Sequence, residues 1–297
     1  NLACVSSENY RIFSALLFIY KTVTTHLRKP KKVDINQLSY TSIPITMYFD
    51  ETQQKLASGT GFIYERKEKL YLITNWHNVT GLNPITKEQI GNHGGIPDVV
   101  VLTLQTQKEP HIEWGNFPID LYDKDKNADW LVHPEHKELV DVVAIEIEFD
   151  KDFKGIFRPI NKIKFDEFKL EISDDVFIIG FPYELKGGGH FPIWKRGSVA
   201  TEPDIDYERL PKMFVDTASR PGMSGSPVIF RRTGIHGTKN GELKPDSIIG
   251  TIQNFVGIYS GRVLGKTELE AQLGIVWKKE VIDEIIDGNT KDEKNVW

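Results

Sequence analysis

Helical periodicity is scarce along most of this chain. Apolar residues come instead in short runs, bounded by Gly, Pro, Asn and Asp. Ile43–Asp50, Gly59–Glu65 and Leu70–Asn75 form a first group. Val99–Thr106, His111–Tyr122, Asp129–His133 and Asp141–Glu148 form a second. Val176–Phe181, Phe191–Val199, Met213–Thr217, Ser226–Phe230, Ile248–Gln253, Val256–Val263 and Gly274–Trp277 complete the series. Each run predicts a strand. So many short strands with Gly/Pro turns predict an all-β fold, and the number suits two barrels better than one. One clear helix is expected at Lys278–Asp287, where Val281, Ile282, Ile285 and Ile286 share a face and Gly288 supplies the stop. The pattern divides the chain into an N-terminal extension (1–38), a first barrel (39–155), a second barrel with the C-terminal helix (156–288) and a loose tail (289–297).

Composition narrows the class. With 39% hydrophobic and 27% charged residues over 297 positions, the chain is neither disordered nor collagen-like. Its net charge of -5 argues against nucleic-acid binding. Charge is uneven: Arg11, Lys21, Arg28, Lys29, Lys31 and Lys32 face only Glu8 and Asp34 in the extension. The single cysteine, Cys4, rules out an intrachain disulfide and fits a reducing compartment. A cytoplasmic location is therefore expected, with export as the alternative. The apolar run Ile12–Tyr20 is too short to span a bilayer, and no small-residue cleavage site follows it. The expectation there is a helical extension that packs on the body, and no membrane role.

The sharpest chemical signal is Gly222-Met223-Ser224-Gly225-Ser226-Pro227. Glycines let the backbone turn sharply and leave a serine hydroxyl open. They also let the amides of Gly222 and Ser224 point into one small space, an oxyanion hole for acyl transfer. The plain alternative is a tight turn between strands. A nucleophilic serine needs a base. His77 follows the apolar strand Leu70–Asn75, where the chain leaves the sheet and an imidazole has rigid support. A base needs an orienting carboxylate. Asp141 opens the most apolar strand of its half, and Asp120, Asp123 and Asp129 are rivals in the same region.

In chain order these residues run His77, Asp141, Ser224. With that order the sequence resembles the trypsin-like serine peptidases of the chymotrypsin fold (the PA clan), in their bacterial, disulfide-free form. The resemblance rests on Gly59-Thr60-Gly61-Phe62-Ile63, Leu72–His77, Asp141–Ile145, Ile178–Pro182, Gly222–Pro227, Gly257–Gly261 and Gly274–Trp277, all in order. It implies two six-stranded antiparallel barrels with the triad in the cleft between them. It also implies a serine endopeptidase acting through an acyl-enzyme, and a substrate strand at Tyr259, Ser260 and Gly261. Ala218, six residues before the serine, would form the floor of the specificity pocket, and Arg262 would lie near it. Ala218 carries no acid, so a preference for Lys or Arg substrates is not expected; uncharged side chains are, or acidic ones if Arg262 faces the pocket. Met223 stands where secreted digestive relatives carry an Asp that pairs with a freed N-terminus, so that activation route is absent. The alternatives on the same fold are a catalytically silent binding module and an esterase.

Two further motifs fail on inspection. Gly261–Thr267 is one residue short of a phosphate loop. His133-Pro134-Glu135-His136 cannot place two histidines on one helical face. No metal or cofactor is expected. The expected partner is a protein or peptide substrate, with a regulatory partner left open.

Overall fold

Many of the apolar runs lack alternation because both faces of their strands are buried, and a strand buried on both faces keeps no polar side. The computed structural model describes residues 34–49, 54–90, 95–107, 112–148, 152–218, 220–238, 242–262 and 272–293. Nearly all of the 1–38 extension, with its expected helix, lies outside them. Its described end leads into a single 3-10 turn, Gln37–Tyr40, capped by the Asn36 side chain.

The first half contains β1 (Ser42–Phe49), β2 (Gln54–Arg66), β3 (Lys69–Thr74), β4 (Val99–Gln107), β5 (Glu113–Asp120), β6 (Leu131–Val132) and β7 (Val143–Ile147). The second contains β8 (Asp175–Gly180), β9 (Ile193–Val199), β10 (Lys212–Asp216), β11 (Ser226–His236), β12 (Ile248–Arg262) and β13 (Leu273–Lys278). Helix α1 (Trp76–Thr80) follows β3; helix α2 (Glu280–Gly288) and β14 (Thr290–Lys291) close the described chain. Every strand pair is antiparallel.

The all-β, two-sheet expectation agrees with this structure. The second half is a closed six-stranded barrel in the order β10-β13-β12-β11-β8-β9. The first half departs from six strands. It is an eight-stranded sheet, β14-β6-β7-β3-β2-β1-β4-β5, whose outer strands do not pair with each other among the described residues. The extra members have a simple cause: β6 is only two residues long, and the chain after α2 returns to pair with it. The runs 248–253 and 256–263, expected as two strands, are one strand, β12, opposed by β11 through a bulge at Val228/Ile229.

Period-two alternation sorts the side chains into three apolar layers. Ile63, Leu72, Val143 and Ile145 fill the first half. Val176, Ile178, Val228, Tyr259 and Val276 fill the second barrel. Their sequence neighbours Phe62, Ile73, Ala144, Ile258 and Trp277 turn the other way and join α2 in a layer between the halves. Each large side chain so buried contributes about 1.5–3 kcal/mol, so this middle layer holds the cleft walls in a fixed relation. Ions tie α2 to β2: Tyr64 donates to Asp283 at 3.0 Å, and Arg66 grips Asp287 through two N–H groups.

The tail expected to be loose is ordered through residue 293. β14 pairs with β6, and Asp292 is buried, accepting the indole N–H groups of Trp76 at 2.7 Å and Trp130 at 3.1 Å. Two buried donors with one carboxylate between them explain why this segment docks.

Candidate active site

His77 sits one residue into α1, just after β3. Gly81 ends the helix in a left-handed conformation (φ 70°), and its amide bonds the His77 carbonyl at 2.9 Å. The imidazole is held from behind. The Asp141 carboxylate accepts the His77 backbone N–H at 2.9 Å through Oδ1 and the ring Nδ1–H at 2.6 Å through Oδ2. A carboxylate only accepts, so Nδ1 carries a proton in this pair, and a neutral ring so held presents its lone pair at Nε2. The Ser260 hydroxyl also donates to Asp141 Oδ2. Asp141 is nearly buried, its backbone fixed by Asn75 Nδ2 on its carbonyl at 2.6 Å. Two of the rival acids are engaged elsewhere: Asp123 caps a turn with Asn127, and Asp129 pairs with Lys291.

Ser224 lies on the turn between β10 and β11, docked against the first half by its own carbonyl. That oxygen accepts the Thr60 amide at 2.8 Å and Asn78 Nδ2 at 3.3 Å. Asn78 is the neighbour of His77 on α1, so the serine is brought to the helix that carries the imidazole. The Thr60 hydroxyl donates to the Gly222 carbonyl at 2.8 Å. Glycine is required twice in this turn. Gly222 and Gly225 have φ of 88° and 84°, and an added Cβ would lie 2.4 Å from the Phe181 carbonyl oxygen and 2.0 Å from that of Thr60.

The amides of the turn alternate. Met223 N bonds the Arg220 carbonyl, Gly225 N that of Tyr259 and Ser226 N that of Met223. Among the described residues the amides of Gly222 and Ser224 meet no acceptor, and Ser224 Oγ makes no hydrogen bond. Unengaged donors next to an open hydroxyl are what a developing oxyanion needs.

The remaining expected residues separate. Ala218 is partly exposed beside buried Thr217. The Tyr259 ring is buried in the second barrel, so this side chain does not line a substrate surface. Ser260 turns its hydroxyl onto Asp141, a role the sequence reading missed. Gly261 has φ 116° with open space around it. The Arg262 side chain lies outside the described residues. Met223 is buried in the barrel, where its thioether packs in place of an ion pair. Thr60, Asn75 and Asn78 were missed as well; all three are buried, which their polar side chains do not announce in the sequence. Among the described residues no three His, Cys, Asp or Glu side chains cluster to hold a metal.

The sequence pattern of the trypsin-like peptidase domain matches residues 59–234, more than half of the chain. The chain belongs to that family. The matched span of this trypsin-like peptidase domain includes His77, Asp141 and Ser224. No curated protein matches the chain. Among solved structures it is similar to a thermostable serine protease, AL20, from an extremophilic microorganism. The two are 12% identical with a TM-score of 0.46, over 86% of this chain and 100% of the other. The family makes the protein a peptidase, hence a hydrolase.

Proposed function

We propose that this peptidase is a serine endopeptidase with Ser224 as nucleophile, His77 as general base and Asp141 as the residue that orients it. Ser224 Oγ attacks the scissile carbonyl while His77 Nε2 takes its proton. The imidazolium then gives that proton to the leaving amine, and water releases the acyl group by the same path reversed. Asp141 stabilises the charged ring, and Ser260 adds a donor to the same carboxylate. The amides of Gly222 and Ser224 hold the oxyanion, worth roughly 3–4 kcal/mol per donor where such groups have been removed elsewhere.

The observation that carries this reading is the pair of hydrogen bonds from His77 to Asp141, set beside a serine whose hydroxyl, with the amides of Gly222 and Ser224, is unengaged among the described residues. The backbone of 260–262 supports an extended peptide as substrate. β13 pairs β12 from Gly257 to Arg262, while β11 opposes it only up to Tyr259. Residues 260–262 therefore keep one open edge to which a peptide can add. An ester needs no such edge, and a silent module has no use for the oriented imidazole.

Hydrolysis of an unfolded protein by the wild type and by Ser224→Ala tests the reading. Cleavage lost in Ser224→Ala supports it; cleavage retained overturns it.

A further inference from the structure

We propose that Lys195 supplies a positive charge to the pocket that receives the side chain before the scissile bond, and that the enzyme cleaves after glutamate or aspartate. The inference rests on the peptidase reading above. Lys195 stands on β9 directly opposite Ile178 of β8, and Gly197 opposite Val176. Opposed residues share a sheet face, and Ile178 and Val176 belong to the core of the second barrel. Lys195 therefore lies on the inward face and is partly buried. Gly197 shares that face, and a Cβ there would lie 2.7 Å from the Asp216 carbonyl oxygen and 3.0 Å from Thr217 Cβ. The backbones touch at that point, and Lys195 Nζ donates to Thr217 Oγ1 at 3.1 Å.

Thr217 directly precedes Ala218, which the family resemblance puts at the floor of the pocket in front of Ser224. Gly274 of β13 pairs both with Val215 of β10 and with Arg262 of β12, so the end of β10 and the open edge at 260–262 flank one strand. A Cβ on Gly274 would come within 3.1 Å of Thr217 Cγ2. A peptide added along 260–262 would direct a side chain between these segments, toward Thr217 and Lys195.

The ammonium there lacks an anion. Two other lysines of this half are matched: Lys212 with Glu208, and Lys278 with Asp206. Lys195 makes no ion pair among the described residues. Of its three donors one goes to Thr217, whose own proton goes to the Arg196 carbonyl at 3.4 Å. Burial, and then the charge of Arg220, hold its pKa below the usual lysine range. An unpaired, partly buried cation next to a second one is unfavourable until a carboxylate arrives.

The test is cleavage of a peptide library varied at the residue before the scissile bond, by the wild type, Lys195→Met and Lys195→Glu. The wild type should favour Glu or Asp over size-matched Gln or Asn by about tenfold or more, equivalent to about 1.4 kcal/mol. That ratio should collapse toward unity in Lys195→Met and turn toward Lys or Arg in Lys195→Glu. A wild type indifferent to acids, or an acid preference that survives Lys195→Met, overturns the proposal. Fluorophosphonate labelling of wild-type Ser224 separates the two readings. Labelling without acid preference removes only this inference, while an unlabelled, inactive wild type removes the peptidase reading with it.

Discussion

On the first-half side of the cleft the groups that hold the imidazole in place are engaged within the fold. Both Asp141 oxygens are occupied, by the backbone and ring of His77 and by Ser260. Asn75 and Asn78 are tied across to Asp141 and Ser224, and Trp76 behind the imidazole is tied to Asp292. On the second-barrel side several groups are unengaged among the described residues: the Ser224 hydroxyl, the amides of Gly222 and Ser224 and the edge at 260–262. In the proposed triad the base and its carboxylate have one geometry to keep, so their partners come from within the fold. The proposed nucleophile, oxyanion site and pocket must meet a substrate, so their partners are left to it. That division is what preorganisation requires.

Breaking the division at its centre has the largest effect. Ser224→Ala and His77→Ala should each lower peptide kcat/KM by roughly 10⁴-fold or more, and the double variant should lose little beyond either single one. Additive losses in steady-state kinetics would mean that the two residues do not act together. Asp141→Asn keeps the shape but presents an amide to Nδ1, and should lower kcat by about 10³–10⁴-fold with far-UV circular dichroism unchanged.

The link between the two sides comes next. Thr60→Val keeps the volume and the amide bond to Ser224 but removes the donor to Gly222. The oxyanion turn should loosen, with kcat/KM falling by about 10–100-fold, in line with about 1–3 kcal/mol for an unmet buried group. An unchanged kcat/KM would mean that the turn holds its shape without the first half. Asp292→Ala leaves two buried indole N–H groups unmet and should destabilise the protein by about 2–4 kcal/mol, read as a lower urea midpoint.

The smallest effect lies away from the chemistry, where His190 stacks on Trp114 and accepts from Lys186 through Nδ1 at 2.7 Å. Burial, then the Lys186 charge, lower its pKa from 6.5 to about 4. Above 6.5 the ring is neutral in both folded and unfolded chains and the full stability is present. As pH falls toward 4 the unfolded chain takes up a proton that the folded one refuses, and stability drops. His190→Phe should flatten that part of the stability–pH curve relative to wild type.

The succession of strands and a number that suits two sheets could be read from the sequence because short apolar runs between turn residues have one easy explanation. The extra strand β14 could not. β14 is two residues long, and its docking depends on Asp292 meeting Trp76 and Trp130 from distant parts of the chain. The glycine-rich turn at Ser224 announced itself, since the backbone conformations it needs leave a mark in composition. Thr60, Asn75 and Asn78 left none, because a buried polar side chain looks the same in sequence as an exposed one. Lys195 was invisible for the same reason: only the register with Ile178 turns it inward.

The most direct test of the central claim is mass spectrometry of the wild-type protein after treatment with a fluorophosphonate, which reacts with a serine only when a base and an oxyanion site activate it. The account predicts one adduct, on the peptide carrying Ser224, absent in Ser224→Ala and strongly reduced in His77→Ala. An unlabelled Ser224 in folded wild type, or an adduct that persists in Ser224→Ala, would contradict it.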